Sequence, residues 1–254
     1  MIEAMHLFFS YGARPVLRDF SASFAPGLLY GIVGPNGCGK TTLIRLLCGL
    51  SAPREGALSL DAMPYSVFSS KELARKVSLM PQIASLPPIS GEELVGRGRY
   101  PYWGFSGRMS PSDLQAVQYA LQRAEASSFA HRDVTKLSGG ERQRICLAML
   151  LAQDTPYVLL DEPTTYLDIS HRFALMEQMR ALREEGKCVI AVLHDLSLAL
   201  RYCDRILVLE EGKVQSFDTP ENILSSGVLD RVFSLSCRAV EVDGRREYLF
   251  LPKE

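Results

Sequence analysis

Short apolar runs alternate along this chain with longer segments of helical periodicity. The apolar runs are LLYGIV (residues 28–33), YVLL (157–160) and CVIAVL (188–193), and the helical patterns that follow them begin at Lys40, Ile169 and Leu196. Buried strands that alternate with helices are typical of a parallel sheet flanked by helices. The pattern therefore predicts an α/β fold.

The pattern changes between about Ile83 and Ala152. Proline and glycine clusters there precede the helical sequence SDLQAVQYALQRAEA, and no strand pattern is present. We therefore expect a single domain with a helical subdomain at 83–152 inserted into a core of 1–82 and 153–218. The remainder, 219–254, predicts two short helices and a hairpin of RAVEV and EYLFL.

Composition argues against several classes of protein. A formal net charge of -1 with 22% charged residues gives no basic excess, so we expect no nucleic-acid partner. The apolar run at 145–152 is too short to span a bilayer, and the N-terminus has no signal-peptide pattern, which favours a cytosolic protein. Six cysteines without a CxxC pair argue against a zinc site or a disulfide framework and suit a reducing compartment.

The segment GPNGCGKT at 34–41 matches the phosphate-binding pattern GxxxxGK[ST] and lies between a predicted strand and a predicted helix. In such a loop, backbone N–H groups surround phosphate oxygens. Lys40 would reach the β and γ phosphates, and the Thr41 hydroxyl would bind Mg²⁺. The alternative interpretation is a plain glycine-rich turn, but such a turn does not need a strand before it and a helix after it. The predicted nucleotide-binding residues of the loop are Gly34, Asn36, Gly37, Cys38, Gly39, Lys40, Thr41 and Thr42.

Polar residues also follow the other predicted strands. Asp161 would orient Mg²⁺, and Glu162 would act as the general base for the attacking water, although the pair by itself also fits a surface turn. His194 would contact the γ phosphate and hold the water, or else be a helix cap or a satisfied structural residue. Gln82, which follows the strand VSLMP, would contact Mg²⁺ or the water, or else be an exposed strand cap.

A second anion site is predicted at LSGGERQ, where two adjacent glycines open a helix spanning Leu137–Gln153. These motifs, in this order and over nearly the whole chain, resemble the ATP-binding subunit of an ATP-binding-cassette (ABC) transporter, whose signature is LSGGERQ. The implied fold is a P-loop NTPase core with a mixed, largely parallel sheet, an N-terminal antiparallel β portion and an inserted helical subdomain. Alone, the segment would be a serine-capped helix with flexible glycines.

The resemblance implies ATP and Mg²⁺ as ligands and a head-to-tail dimer with a second copy of the chain. Ser138, Gly139 and Gly140 would bind the γ phosphate held by the partner's phosphate loop. Tyr11 would stack on adenine, although an exposed loop tyrosine fits equally. Asp168 would line the dimer seam, and the helical subdomain would rotate about Gln82.

The resemblance further implies a separate integral membrane permease, with the ATPase bound peripherally at the cytoplasmic face of the membrane. Two segments, 93–107 and 161–172, are similar to the importers of iron–siderophore, haem and cobalamin, which receive cargo from a substrate-binding protein. Arg172, where glutamine is common, and Cys38, where serine is usual, depart from that pattern. The aromatic run Tyr100, Tyr102 and Trp103 would face the permease or be a packed loop.

Two other functions remain compatible with the sequence. One is an ABC exporter subunit, and the other is a non-transport ABC ATPase acting on nucleic acid or ribosomes. A local hypothesis concerns Cys38: the loop N–H groups and Lys40 would favour its thiolate, so that alkylation inactivates the ATPase and ATP protects it, unless the thiol is buried and inert.

Overall fold

In the computed structural model, which describes residues 1–82, 86–104, 107–165 and 167–253, the strands form three sheets. The strands are β1 (Ile2–Tyr11), β2 (Arg14–Phe24), β3 (Leu29–Val33), β4 (Glu55–Leu60), β5 (Met63–Pro64), β6 (Val77–Met80), β7 (Tyr157–Asp161), β8 (Cys188–Val192), β9 (Arg205–Glu210), β10 (Lys213–Asp218), β11 (Leu235–Val242) and β12 (Arg245–Pro252).

The helices lie between and after these strands. They are α1 (Lys40–Leu47), α2 (Ser70–Ala74), α3 (Gly91–Arg97), α4 (Pro111–Arg123), α5 (Gly139–Gln153), α6 (Ile169–Glu184), α7 (Leu196–Tyr202), α8 (Pro220–Ser225) and α9 (Val228–Val232). No helix within the described ranges is both long enough and apolar enough to cross a lipid bilayer.

The largest sheet has the strand order β10-β9-β3-β8-β7-β6, and all of its pairings are parallel except that of β10 with β9. Every residue of β3, β7 and β8 is buried, as expected for strands covered on both faces. The helices after these three strands begin at Lys40, Ile169 and Leu196. The predicted strand and helix alternation is therefore confirmed.

A second, antiparallel sheet with the order β2-β1-β4-β5 forms the N-terminal part. Helix α1 shares one buried cluster with this sheet and with one face of the large sheet, and its Leu43 and Leu46 are buried together with Phe20 and Phe24. Because α1 is buried from both sides, the C-terminal end of the preceding loop is held in place.

The segment between β6 and β7 contains α3, α4, α5 and short 3₁₀ turns, and its described part contains no strand beyond one isolated bridge of Ser90 with Asp133. The predicted helical character is confirmed. Ile83, which opens the predicted subdomain, lies outside the described residues, as do Phe105 and Ser106, and the bounds 83–152 stay a prediction.

The C-terminal segment contains α8, α9 and the antiparallel pair β11 and β12, as predicted. The hairpin turn is shorter than the predicted DGRR, because Arg245 and Arg246 already belong to β12. Gly244 has a φ of 72°, a backbone conformation that glycine adopts without steric cost.

Close packing of α3 against α5 leads to a stability prediction. A Cβ added at Gly98 would lie 2.4 Å from the Met149 carbonyl oxygen, which is backbone and cannot rotate away. We expect Gly98→Ala to lower the free energy of unfolding by about 1–3 kcal/mol. Urea denaturation followed by circular dichroism measures this loss.

Gly96→Ala is the matched control. Its added Cβ would meet the flexible Met109 side chain at 3.1 Å, and alanine favours the helix. Equal stability of the two variants would contradict the proposed backbone clash.

Candidate functional site

The carboxyl ends of three neighbouring parallel strands bring the predicted chemistry to one edge of the large sheet. The phosphate loop follows β3, Asp161 ends β7, and His194 lies two residues beyond β8, which pairs with both other strands. Ligand sites of open α/β sheets lie at this edge.

The phosphate loop is closed around the Lys40 side chain. Gly37 and Gly39 have φ angles of 77° and 112°, a backbone conformation that glycine adopts readily and residues with a Cβ atom rarely adopt. The Lys40 ammonium donates to the carbonyl oxygens of Gly34 at 2.7 Å and Pro35 at 3.0 Å, and Lys40 is 5% exposed. The loop therefore holds a buried positive charge at the N-terminus of α1.

Cys38 lies inside this loop, and its thiol is buried. Burial raises the pKa of the thiol, and this effect exceeds the opposing influence of Lys40, whose Nζ is 4.0 Å from the Cys38 Sγ. The expectation that the loop favours the Cys38 thiolate is therefore wrong, because removal from water outweighs the nearby positive charge.

Asp161 and Thr41 present two oxygen atoms beside Lys40. The Thr41 hydroxyl lies 3.3 Å from the Asp161 Oδ1, and Asp161 is 4% exposed. Burial raises the pKa of Asp161, the neighbouring Glu162 adds to this increase, and the Thr41 hydroxyl partly offsets it. A buried carboxylate of this kind is stabilised by a cation.

Glu162 is the point at which the separately predicted residues meet. The Gln82 Nε2 donates to its Oε2 at 2.9 Å, and the His194 Nε2 lies 2.6 Å from its Oε1. Glu162 has a φ of 53°, an uncommon conformation for a non-glycine residue that is often found at active sites. Its carboxylate is thus held from two sides.

The helix-cap alternative for His194 does not agree with these contacts. The N-cap of α7 is Asp195, whose Oδ1 accepts the backbone N–H groups of Ser197 and Leu198, so His194 does not have that role. Gln82 is exposed just beyond the end of β6, as the strand-cap alternative also expects, and its amide contacts Glu162.

A cleft of about 650 Å³ opens in front of the phosphate loop. Tyr11 lines it, is 54% exposed, and packs edge-on against Phe9 at 5.0 Å between ring centroids. The other lining residues are Arg14, Pro15, Val16, Arg18, Asn36, Gly37, Gly39, Lys40, Thr41, Thr42, Glu162, Glu211 and Gly212.

Three residues that line the cleft were not predicted from the sequence: Arg14, Arg18 and Gly212. The Gly212 N–H donates to the Cys38 carbonyl at 3.1 Å, and its own carbonyl accepts the Arg18 N–H at 3.0 Å. The two arginines near Tyr11 were a usable signal, since exposed guanidinium groups suit phosphates. No local sequence pattern marks Gly212, because its place at the cleft depends on backbone hydrogen bonds with the distant residues Cys38 and Arg18.

The signature residues lie elsewhere on the same chain. Ser138 is the N-cap of α5, and Ser138 and Gly139 are exposed while Gly140 is half-buried. Among the described residues, none of the three lines the cleft in front of the phosphate loop. The phosphate loop and the predicted second anion site therefore lie at separate places on the chain.

Asp168 is the N-cap of α6. Its Oδ1 accepts the backbone N–H of His171 at 2.9 Å and the Ser170 hydroxyl at 2.9 Å, and lies 2.7 Å from the His171 Nδ1. The hydrogen bonds from His171 and Ser170 lower the pKa of Asp168. The carboxylate is fixed in position and remains exposed. Tyr166, two residues earlier, lies outside the described residues.

The aromatic run near Trp103 is partly packed and partly exposed. Tyr102 lies under the Arg99 guanidinium, 3.8 Å from ring centroid to Cζ, and its hydroxyl donates to the Gln153 carbonyl. Tyr100 is 65% exposed. The Trp103 carbonyl accepts the Lys71 ammonium at 2.6 Å, which ties the run to α2.

A separate groove of about 860 Å³ lies near α2. Cys48, Leu50, Tyr65, Phe68, Leu73 and Met149 are among its lining residues, with Pro81 next to Gln82. The side chains are mostly apolar, and Leu50 is 62% exposed. The groove is therefore an exposed surface with a largely apolar lining.

The described residues contain no group of three or more His, Cys, Asp and Glu that would form a metal cage. All six cysteines are free thiols. Mg²⁺ seldom uses an all-protein cage, because it retains waters and binds substrate phosphates.

Comparison with known proteins agrees with this geometry. The family model described as ABC transporter matches residues 17–165. The ferric enterobactin transport ATP-binding protein FepC of Escherichia coli (strain K12) is 41% identical over 242 residues, which cover 94% of this chain and 89% of FepC. The hemin import ATP-binding protein HmuV of Pseudomonas putida (strain KT2440) is 40% identical over 241 residues, which cover 92% of this chain and 93% of HmuV.

Solved structures are also similar. The dimeric structure of MJ0796, a bacterial ABC transporter cassette, is 28% identical with a TM-score of 0.77 and covers 87% of this chain and 99% of that one. An inward-facing ABC transporter assigned to the metal-chelate type is 25% identical with a TM-score of 0.85 and covers 100% of this chain and 97% of the matched chain.

The burial of Cys38 makes its reactivity testable. At pH 7.5 we expect iodoacetamide to modify Cys38 at least about tenfold more slowly in the native protein than in the urea-unfolded chain, because a raised pKa leaves less thiolate. Mass spectrometry of the Cys38 peptide over time measures both rates. A native rate equal to or above the unfolded rate would show that the loop activates the thiol.

Proposed function

Because this chain belongs to the ABC transporter family, we propose that it acts as a head-to-tail dimer that closes on two ATP molecules. The chain is the ATP-hydrolysing subunit that energises an import system for an iron–siderophore, haem or related metal chelate. The observation that carries the dimer proposal is that each chain has a phosphate loop and a signature helix at separate places.

The phosphate loop would bind ATP with the adenine on Tyr11. The N–H groups of the loop and of the first turn of α1 would surround the phosphates, and the buried Lys40 ammonium would neutralise the β and γ oxygens. The donors at this site would be Gly34, Asn36, Gly37, Cys38, Gly39, Lys40, Thr41 and Thr42.

Mg²⁺ fits the oxygen pair of Thr41 and Asp161. Hard oxygen donors suit this ion, and its charge would stabilise the buried Asp161 carboxylate. Gln82 would contribute its amide oxygen. When bound, Mg²⁺ supplies positive charge that stabilises the developing charge on the transferring phosphoryl group.

Glu162 would act as the general base. Its carboxylate would accept a proton from the water that attacks the γ phosphate, while Gln82 and His194 hold the carboxylate in place. The imidazole of His194 would also donate to the γ phosphate, because it lies at the adjacent strand end.

The signature residues would complete the site in the partner subunit. The N-terminus of α5 presents the Ser138 hydroxyl together with the backbone N–H groups of Gly139 and Gly140, which would bind the γ phosphate held by the other chain. The exposed Asp168 would lie in the seam between the two subunits. The similar MJ0796 cassette is dimeric, which supports this arrangement.

The apolar groove near α2 would receive a cytoplasmic segment of the permease. Its position beside Gln82 and its connection to Trp103 through Lys71 would couple cassette closure to the membrane subunit. The chain would then lie peripherally at the cytoplasmic face of the membrane, and a substrate-binding protein would deliver cargo to the permease. We propose no nucleic-acid partner.

Removing the base should separate binding from hydrolysis. We expect Glu162→Gln to lower the ATPase rate by about 10²–10⁴-fold, the usual contribution of a general base, while ATP still binds. The variant should accumulate as a dimer with ATP, which light scattering after size-exclusion chromatography would detect. Hydrolysis at the wild-type rate would rule out Glu162 as the base. The charge-matched control is Glu241→Gln, on the exposed C-terminal hairpin.

The transport assignment is tested by co-purification. Tagged Glu162→Gln protein is recovered from detergent-solubilised membranes of the source cells with Mg²⁺ and ATP present, and partners are identified by mass spectrometry. We expect a polytopic membrane protein in about equal amount. Recovery of soluble factors or RNA alone, with the dimer intact, would contradict the permease partner.

A further inference from the structure

The N-terminus of the signature helix α5 already contains a carboxylate of its own chain. The Glu141 Oε2 accepts the Ser138 N–H at 2.9 Å, and the Glu141 N–H donates to the Ser138 hydroxyl at 3.3 Å. This reciprocal capping box satisfies two helix-terminal N–H groups. It also places a negative charge within one turn of the three residues proposed to bind the partner's γ phosphate.

This arrangement creates an electrostatic conflict. A helix N-terminus favours a nearby anion, but a carboxylate and a phosphate in the same place repel each other. The hydrogen bonds with Ser138 lower the pKa of Glu141, so the carboxyl group is ionised at neutral pH. If Glu141 were uncompensated, it would oppose the approach of the second subunit's ATP.

Arg132 provides a compensating charge. Its Nη1 donates to the Glu141 Oε1 at 2.7 Å, so the two carboxylate oxygens are divided between Arg132 and the helix cap. Arg132 precedes α5 and lies beyond its N-terminus, and its side chain is 51% exposed. The guanidinium therefore neutralises Glu141 without removing it from the cap.

The other capping boxes of the chain serve as a comparison. The described residues contain three more boxes with the same reciprocal hydrogen bonds: Ser69 with Glu72, Ser90 with Glu93, and Ser110 with Asp113. In the described structure, no salt bridge joins an arginine to Glu72 or Glu93. Asp113 is paired with Arg99 at 2.9 Å, but that pair is largely buried and Arg99 also donates to the Ala152 carbonyl, whereas the Arg132–Glu141 pair is partly exposed at a helix N-terminus. Capping alone thus does not require the arginine.

We propose that Arg132 is a positioning residue of the nucleotide site, which neutralises Glu141 so that the capped signature helix can accept the γ phosphate of the partner's ATP. The inference rests on the head-to-tail dimer proposed above. It assigns to the Arg132–Glu141 pair an effect on dimer closure, and no effect on nucleotide binding by the phosphate loop of the same chain.

A double-mutant cycle in the Glu162→Gln chain tests the inference. Four proteins are compared: the Glu162→Gln parent, and the same chain with Arg132→Met, with Glu141→Gln, or with both. The dimerisation constant in saturating ATP is measured by analytical ultracentrifugation, and ADP binding to the monomer is measured by calorimetry.

We expect Arg132→Met to weaken ATP-dependent dimerisation by about tenfold, as for loss of a compensating charge at a partly exposed site. The protein with both Arg132→Met and Glu141→Gln should dimerise within about twofold as tightly as the protein with Glu141→Gln alone, because the glutamine keeps the cap without the charge. The Arg132→Met deficit should shrink at higher NaCl concentration, since salt screens exposed charges. ADP binding should be equal in all four proteins.

The control and the contrary outcomes are distinct. Glu93→Gln changes a capping box in the same helical segment and should leave dimerisation unchanged. Normal dimerisation of Arg132→Met, or a deficit that persists undiminished after Glu141→Gln is added, would overturn charge compensation while leaving the dimer intact. Failure of the parent to dimerise in ATP would overturn the proposed dimer, and the inference with it.

Discussion

The parallel pairing of β3, β8 and β7 is the constraint on which the rest of the structure depends. All residues of these strands are buried, and Val192 of β8 pairs with both Ile32 of β3 and Asp161 of β7. Since parallel strands end at the same edge, this register places the phosphate loop, the two acids and His194 together. A shift of one residue would turn the side chains to the opposite face.

Two charged groups at this edge are buried at a cost that only ligands would offset. Lys40 contacts neutral carbonyl oxygens and Asp161 accepts from the Thr41 hydroxyl, so neither forms a salt bridge with any residue that the structure describes. Buried ions destabilise a fold unless they are paired. ATP phosphates for Lys40 and a cation for Asp161 would supply the missing charges, which explains why the fold tolerates them. Helix α1, held between two sheets, keeps both groups in place.

The separation of the phosphate loop from the signature residues would make the proposed site depend on assembly. The phosphate loop follows β3 of the large sheet, whereas Ser138 and its glycines begin a helix of the helical segment. In the proposed dimer, ATP would be bound from one side by each subunit, so both chains would contact its γ phosphate only after closure. In this proposal, the ion pair of Arg132 and Glu141 would adjust the charge at the helical half of the site, and the apolar groove beside α2 would give closure a surface through which to act on a membrane subunit.

The sequence by itself determined the strand and helix order, the phosphate loop, the signature and the two acids at the end of β7, because each is encoded in a short contiguous pattern. Tertiary structure decided which groups meet: Gln82 and His194 on Glu162, Gly212 against Cys38, and Arg132 on Glu141. It also decided that Cys38 is buried, which reversed the expected direction of its pKa. These outcomes depend on register and burial between distant segments, and no local pattern of residues encodes them.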